Sequence, residues 1–222
     1  MVSVIVFDLD DTLYLERDFV RSGFAAVDRW VSDRFAISGF FDRAWALFEA
    51  GRRRDIFDRT LSALAIGTSP ELIGCLVDVY RGHTPEIRLA PDAEEILAAL
   101  CPPRRAALLT DGLAAVQARK VRALGLVERL RPIIYTDEFG SGMWKPHPQG
   151  FLAIRSEFDL AAHEFVYVAD NPSKDFVAPR KLGWKTIRVR RPEGEHAQLS
   201  TDPTLEADRT LASLRELDLA EL

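Results

Sequence analysis

The chain has 222 residues, of which 47% are hydrophobic and 28% charged, a balance typical of a globular protein with a substantial core. Its formal net charge of -5 argues against nucleic acid or an anionic membrane as the main partner. No apolar run approaches the ~20 residues of a membrane span, Asp8 interrupts any secretory signal, and Cys75 and Cys101 fit neither a metal site nor a disulfide framework. We therefore predict a soluble, cytoplasmic protein; the composition leaves open whether it is a monomer or homodimer.

The first predicted element is a buried strand that ends in acidic residues. Val4 to Phe7 form a short apolar run rich in β-branched residues. Because side chains alternate along an extended backbone, Asp8 and Asp10 share one face and Asp11 points to the other. Two carboxylates held together repel each other unless a cation lies between them or one of them binds a proton. This cost favours a functional site over a simple polar turn.

Residues 16–85 predict a separate, all-helical domain. Apolar residues recur there at helical spacing in roughly four segments, and no strand pattern interrupts them. Ser69 followed by Pro70 is typical of a helix start, since serine caps free amides and proline suits the first turn. The aromatic residues of this segment follow the helical spacing, so we assign them to its core. Residues 1–15 and 86–222 are assigned to the other domain.

Beyond residue 86, strands and helices alternate, which predicts an α/β domain with a parallel sheet. Four further apolar runs predict its strands: 106–110, 132–136, 165–169 and 184–189. Three regularly spaced leucines predict a short helix near the end of the chain: Leu211, Leu214 and Leu217.

Polar side chains follow these strands at their carboxyl ends, with Asp8 and Asp10 after the first, Thr110 after the second and Asp170 after the fourth. In open parallel sheets, ligands bind beyond this edge, where the strand order reverses. If the strands that precede Asp8 and Asp170 are neighbours, their carboxylates converge, with Asp175 close behind. Such a cluster of hard oxygen ligands predicts a Mg²⁺ site.

These residues resemble the four motifs of the haloacid dehalogenase-like (HAD) hydrolase superfamily. Asp8-Leu9-Asp10-Asp11-Thr12 resembles the first motif, Thr110 the second, Lys145 the third, and Asp170 to Asp175 the acidic fourth. The resemblance spans nearly the whole chain and is closest to the branch of haloacid dehalogenases, phosphoglycolate phosphatases and pyrimidine nucleotidases. It implies a Rossmann-like three-layer core with a parallel sheet, plus a C1-type helical cap, residues 16–85, inserted after the first strand.

The resemblance implies a phosphatase that works with two aspartates. Asp8 would attack phosphorus and form an aspartyl-phosphate, and Asp10 would protonate the leaving oxygen and later deprotonate the hydrolytic water. Mg²⁺ would be held by Asp8, the carbonyl of Asp10 and Asp170, with Asp175 orienting its surroundings. One departure is Ala169, which stands where the fourth motif usually has glycine; the implied ligands are all present.

The resemblance also implies groups that handle charge and position the phosphoryl group. Lys145 would offset negative charge and keep Asp8 ionised. Thr110 and the backbone amides of Leu9 and Asp111 would hydrogen-bond the phosphoryl oxygens.

The resemblance implies that the substrate is a small phosphorylated metabolite, and the sequence does not narrow it further. Arg17 and Arg21, near the start of the helical segment, and Trp144, beside Lys145, are candidates to contact its leaving group. Sugar phosphates, nucleoside monophosphates and phosphoglycolate-like acids all stay open.

Four other activities or roles are alternatives to a phosphatase. The dehalogenases that the chain resembles lack the second aspartate of the first motif, so Asp10 favours phosphate chemistry. Phosphonate cleavage would need a lysine in the cap, and residues 17–83 contain none. A phosphomutase of the same fold stays open. A catalytically silent binding protein predicts loss of a motif residue, yet Asp8, Asp10, Lys145 and Asp170 are all present.

Overall fold

The computed structural model describes residues 2–100, 102, 104–140, 142–199 and 202–222. Contacts within the chain define two compact units, one formed by residues up to Glu16 and from Ile87 onward, the other by Arg17–Glu86. These boundaries differ by one residue from those assigned above; that the second unit acts as a cap stays a prediction. None of the described helices combines the length and apolarity that crossing a membrane requires.

The smaller unit is helical. Its elements are α1 (Glu16–Phe35), α2 (Phe40–Glu49), α3 (Ile56–Ala63) and α4 (Pro70–Gly82). The buried side of α1 carries apolar residues three to five positions apart, as the helical pattern predicted: Phe19, Phe24, Val27 and Val31. At the start of α4, the Ser69 hydroxyl accepts a hydrogen bond from the Leu72 amide at 3.2 Å, which satisfies one of the free amides of the first turn. The predicted serine cap is confirmed.

The larger unit contains a parallel sheet of six strands: β1 (Val4–Phe7), β2 (Arg105–Thr110), β3 (Ile133–Tyr135), β4 (Phe165–Ala169), β5 (Lys185–Val189) and β6 (Arg209–Leu211). Their spatial order is β3-β2-β1-β4-β5-β6, and every pairing is parallel. This is the Rossmann order, in which the direction of the connections reverses between β1 and β4. The predicted α/β, Rossmann-like fold is confirmed. Every residue of β1 is buried, which explains its uninterrupted apolar run.

The remaining helices connect these strands: α5 (Pro91–Ala99), α6 (Ala114–Ala123), α7 (Gln149–Ser156) and α8 (Val177–Lys181). The predicted helix near the end of the chain is wrong. Leu211 closes the edge strand β6, and Leu214 begins a 3₁₀ turn over Leu214–Glu216. The first two residues of β6 are exposed, so the strand lacks the apolar run by which its neighbours are recognised. Cys75 is exposed with a free thiol, and Cys101 lies outside the described residues.

Asp92, in the first turn of α5, connects that helix to two distant segments of the chain. The Arg191 guanidinium donates to both carboxylate oxygens of Asp92, at 2.9 and 3.1 Å, and the Ser213 hydroxyl and the Leu214 amide each donate at 2.8 Å. Both charged side chains are buried. Burial alone would raise the pKa of Asp92, but these hydrogen bonds and the Arg191 charge together lower it.

We expect Asp92→Ala to lower the free energy of unfolding by about 3 kcal/mol, because it leaves the buried Arg191 charge unpaired. The Asp92 carboxylate stabilises the fold fully above the ordinary aspartate pKa, about 3.9. This stabilisation is lost as the pH falls through the lowered pKa of Asp92 in the native protein. Urea denaturation of both proteins from pH 7 to pH 3 measures this difference. Glu95→Ala, which breaks an exposed ion pair with Arg215, is the control and should change little. Equal free energies of unfolding for Asp92→Ala and the wild type at pH 7 would contradict this role of Asp92.

Candidate active site

The carboxyl ends of β1, β2 and β4 border a cavity of about 270 Å³ at the point where the strand order reverses. The cavity brings together seven of the predicted site residues: Asp8, Asp10, Thr110, Asp111, Trp144, Lys145 and Asp170. It is also lined by residues that the sequence did not single out as site residues: Asp11, Glu16, Gly112, Asn171, Lys174 and His196.

An acidic cluster formed by Asp8, Asp170 and Asp175 lies at this edge of the sheet. One carboxylate oxygen from each residue lies within 4.8 Å of the others, and all three side chains are buried. The sheet register creates the cluster, because Phe7 pairs with Val168 and the two strands therefore end side by side. In the turn after β4, the backbone amide of residue 171 donates to the Asp175 carboxylate at 3.0 Å and fixes its position.

Lys145 places its ammonium group against the acidic cluster. Its Nζ lies 2.7 Å from a carboxylate oxygen of Asp8 and 2.7 Å from one of Asp175, and it donates to the Tyr167 hydroxyl at 2.9 Å. The Lys145 backbone amide donates to Asp111 at 3.1 Å, which anchors the loop that carries the lysine. Burial would lower the pKa of Lys145, but the charges of Asp175 and Asp8 raise it well above its usual range. The two carboxylates therefore favour the cationic form of this buried side chain.

The acidic cluster carries more negative charge than this lysine balances. Burial raises the pKa of Asp8 to about 6, with Lys145 opposing and Asp175 adding to the shift. Burial and the charges of Asp175 and Asp8 raise the pKa of Asp170 well above its usual range. Oδ2 of Asp170 is buried without a hydrogen-bond partner among the described residues. Three converging carboxylates with a free buried oxygen are the hard-oxygen donor set that Mg²⁺ prefers, so these residues fit that metal.

Asp10 does not place its carboxylate in the acidic cluster, although it lies only two residues from Asp8. The carboxylate accepts hydrogen bonds from Lys120 Nζ at 2.7 Å, from Gln117 Nε2 at 2.9 Å and from the Tyr14 hydroxyl. Burial alone would raise the pKa of Asp10, but Lys120 and these hydrogen bonds lower it below the ordinary value. The two aspartates of the first motif therefore occupy different environments. The metal contact predicted for the Asp10 carbonyl stays a prediction.

Thr110 is the last residue of β2, and Asp111 follows it beside the cavity. The Thr110 hydroxyl accepts a hydrogen bond from Gln117 Nε2 at 2.6 Å. The Asp111 carboxylate accepts hydrogen bonds from the Thr136 hydroxyl at 2.7 Å and from Lys174 Nζ at 3.1 Å. The side chain of Asp111 thus holds neighbouring loops in place, while the phosphoryl contact predicted for its backbone amide stays a prediction.

The other predicted site residues fall into two groups. Leu9 has a fully buried side chain, and Trp144 lines the cavity with 40% of its surface exposed. Arg17 and Arg21 belong to the helical unit, where the Arg17 guanidinium pairs with Glu49 at 2.8 Å and Arg21 is exposed on α1. Contacts of these four residues with a substrate stay predictions.

Sequence reasoning missed the polar partners of Asp10. Gln117 and Lys120 are buried and lie three positions apart on α6, a spacing that places both on one helix face. Polar residues on the buried face of a helix were the available signal. Glu16 gave no comparable signal; burial and the Asp10 charge raise its pKa to about 7. His196 bonds to Asn171 at 3.0 Å from an irregular loop whose sequence predicts no such contact.

The Rossmann-order sheet, with clustered carboxylates and a buried lysine at the point where it reverses, defines an α/β protein whose candidate ligand site lies beyond its strand ends. A family model described as haloacid dehalogenase-like hydrolase matches residues 2–183. The chain therefore belongs to the haloacid dehalogenase-like hydrolases.

The relatives of this chain include both phosphatases and a dehalogenase. A glyceraldehyde 3-phosphate phosphatase from Methanocaldococcus jannaschii is 28% identical, covering 98% of this chain and 96% of that protein. An (S)-2-haloacid dehalogenase from Xanthobacter autotrophicus is 25% identical, covering 86% of this chain and 76% of that protein. The crystal structure of a HAD family hydrolase from Deinococcus radiodurans, with bound phosphate and sodium, is 20% identical with a TM-score of 0.68, covering 99% of this chain and 95% of that chain. This last likeness shows the fold.

Proposed function

We propose that the protein is a Mg²⁺-dependent phosphatase that hydrolyses a small phosphomonoester through an aspartyl-phosphate on Asp8, with Asp10 as general acid and base. The observation that carries the proposal is the separation of the two aspartates. Asp8 lies in the acidic cluster against Lys145, whereas Asp10 is held outside the cluster by Lys120 and Gln117. Ester hydrolysis needs two carboxylates in such different roles, one to attack phosphorus and one to transfer protons.

Asp8 is the nucleophile of the first chemical step. A carboxylate oxygen of Asp8 attacks phosphorus, the bond from phosphorus to the bridging oxygen breaks, and the phosphoryl group is transferred to the aspartate. Lys145 keeps Asp8 in place and offsets negative charge next to the incoming phosphoryl group. The hydroxyl of Thr110, at the cavity wall, would bond one of the phosphoryl oxygens.

Asp10 transfers the proton in both steps. It gives a proton to the leaving alcohol oxygen and, in the second step, takes one from the water that attacks the aspartyl-phosphate. Lys120 favours the ionised form of Asp10 in the free protein, so the carboxylate takes up its proton when the substrate binds. The negative charge of a bound phosphoryl group favours that uptake.

The proposed metal would be held by Asp8 and Asp170 and by the backbone carbonyl of Asp10, with Asp175 orienting its surroundings. Bound Mg²⁺ supplies positive charge that offsets the phosphoryl group and the charge of the transition state. The free buried oxygen of Asp170 and the excess negative charge of the acidic cluster support this assignment.

A small phosphorylated sugar or aldehyde is the proposed substrate class, since the M. jannaschii relative is named for glyceraldehyde 3-phosphate. We further propose that residues 16–85 act as a cap that closes over the strand ends and excludes water. Dehalogenation is the less favoured activity, because cleavage of a carbon–halogen bond needs no acid for its leaving group. In this chain, Asp10 is present and accepts hydrogen bonds from three side chains that hold it in place.

We expect phosphate release from some member of a panel of sugar phosphates, nucleoside monophosphates and phosphoglycolate when Mg²⁺ is present, and loss of that release with excess EDTA. Colorimetric phosphate detection measures the rate, and readdition of Mg²⁺ should restore it. Halide release from 2-chloropropionate, measured in parallel, tests the dehalogenase alternative. Folded protein with Mg²⁺ that hydrolyses no ester would refute the proposed function.

A further inference from the structure

We propose that Gln117 and Lys120 are positioning residues that hold the Asp10 carboxylate in the orientation for proton transfer to the leaving oxygen. The inference rests on the proposed function and extends it to two side chains on α6, a helix that contributes none of the motif residues. Neither residue needs to touch the phosphoryl group; both act through Asp10.

The hydrogen bonds around Asp10 fix its carboxylate at both oxygens. Lys120 Nζ and the Tyr14 hydroxyl bond Oδ1, and Gln117 Nε2 bonds Oδ2. A carboxylate that is held at one oxygen alone keeps rotational freedom about its terminal torsion, which has broad minima. Donors at both oxygens remove that freedom, so the proton-carrying oxygen is presented in one orientation.

Gln117 also connects Asp10 to the end of β2. Its amide nitrogen carries two protons, and it lies 2.9 Å from the Asp10 carboxylate and 2.6 Å from the Thr110 hydroxyl. Gly112 leaves room for this arrangement, since a Cβ there would lie 3.3 Å from the Gln117 side chain. One side chain thus sets the distance between the proposed acid and the predicted phosphoryl-binding hydroxyl.

Lys120 is difficult to explain as a core residue. Its side chain is 4% exposed, and taking an ammonium group out of water costs several kcal/mol that an apolar residue of similar volume avoids. Its ion pair with Asp10 offsets that desolvation cost only if the geometry of the pair is tight. A role in orienting Asp10 accounts for a charge at a position where methionine would fill the same space.

A misplaced general acid has a specific kinetic signature. An alkyl ester such as glyceraldehyde 3-phosphate needs a proton on its leaving oxygen, whereas p-nitrophenyl phosphate releases a stable phenolate without one. Loss of the acid therefore slows the first ester selectively. The ratio kcat/KM reports this step alone, because it covers the reaction only as far as release of the leaving group.

The test compares kcat/KM for the two esters in Lys120→Met and Gln117→Leu, with Asp10→Asn as the reference for complete loss of the acid. We expect each variant to lose at least about tenfold more activity on the alkyl ester than on the aryl ester, part of the 10²–10⁴-fold range of general acid catalysis. Lys120→Arg should recover part of the loss. Arg122→Met, which removes an exposed cation from the same helix, should leave both rates unchanged.

Equal losses on both esters in both variants would overturn the inference and leave the proposed phosphatase intact. Wild-type protein that is inactive on every phosphomonoester would instead overturn the proposed function and this inference together. Gln117→Leu changes no charge, so it decides the question alone if Lys120→Met does not fold.

Discussion

Asp8→Asn is expected to reduce phosphate release by at least about 10⁴-fold, the scale seen when a covalent nucleophile is removed. Asparagine has the size of aspartate, but its amide oxygen is a far weaker nucleophile and does not form an acyl phosphate that water can hydrolyse. The variant retains an oxygen that can accept from Lys145, which lies 2.7 Å from Asp8 Oδ1 in the wild-type protein. The change therefore tests the nucleophile with little disturbance of the site.

Two measurements check this result. Steady-state phosphate release gives the loss of rate, and acid-quenched mass spectrometry detects phosphorylated protein during turnover of the wild type but not of the variant. The exposed Asp159, replaced by asparagine, is the matched control and should keep full activity. Turnover within tenfold of wild type in Asp8→Asn would show that another group attacks phosphorus.

Lys145→Met should impair both activity and stability. Removal of the ammonium group leaves Asp8 and Asp175 without a cation that lies 2.7 Å from each. We expect kcat/KM to fall about 10²–10³-fold, the loss typical of one electrostatic group at a transition state. Without Mg²⁺, the free energy of unfolding should fall by about 3 kcal/mol, because uncompensated charges stay buried.

Thermal unfolding with and without Mg²⁺ separates the two effects of Lys145→Met. A cation bound to the acidic cluster would offset part of the repulsion, so Mg²⁺ should raise the Tm of the variant more than that of the wild type. Lys181→Met, at an exposed position near the end of α8, serves as the control. An unchanged Tm in metal-free buffer would mean that Lys145 does not balance the cluster.

The sequence was most informative where the chemistry depends on strand ends. Parallel strands finish at one edge of a sheet, so the apolar runs before Asp8 and Asp170 placed both residues at that edge. Their convergence required the two strands to be neighbours, which the sequence left open and the sheet order shows. Lys145 was different, because it stands in an irregular loop; only the resemblance to known motifs pointed to it. Its place depends on a long-range hydrogen bond to Asp111, and no local pattern encodes that bond.

The wrong helix prediction near the end of the chain and the missed partners of Asp10 have the same physical origin. The spacing of Leu211, Leu214 and Leu217 suits a helix, but pairing with β5 draws the first of these leucines into a strand, so tertiary contacts override the local pattern. Gln117 and Lys120 belong to α6, one of the helices that the alternating pattern predicted between the strands. Polar residues on the buried face of that helix were visible in the sequence, but their partner Asp10 is remote in sequence, so the contact itself could not be predicted.

The position of β1 in the sheet has a consequence for how the protein folds during synthesis. Val4 pairs with Arg105 on one side and Phe165 on the other, so β1 is synthesised before both of its neighbours and finds them only after long stretches of chain have followed. The helical unit, Arg17–Glu86, relies on contacts close in sequence and can form earlier. Asp8 therefore emerges long before Asp170 and Asp175, and the acidic cluster does not exist until β4 and the turn after it have left the ribosome.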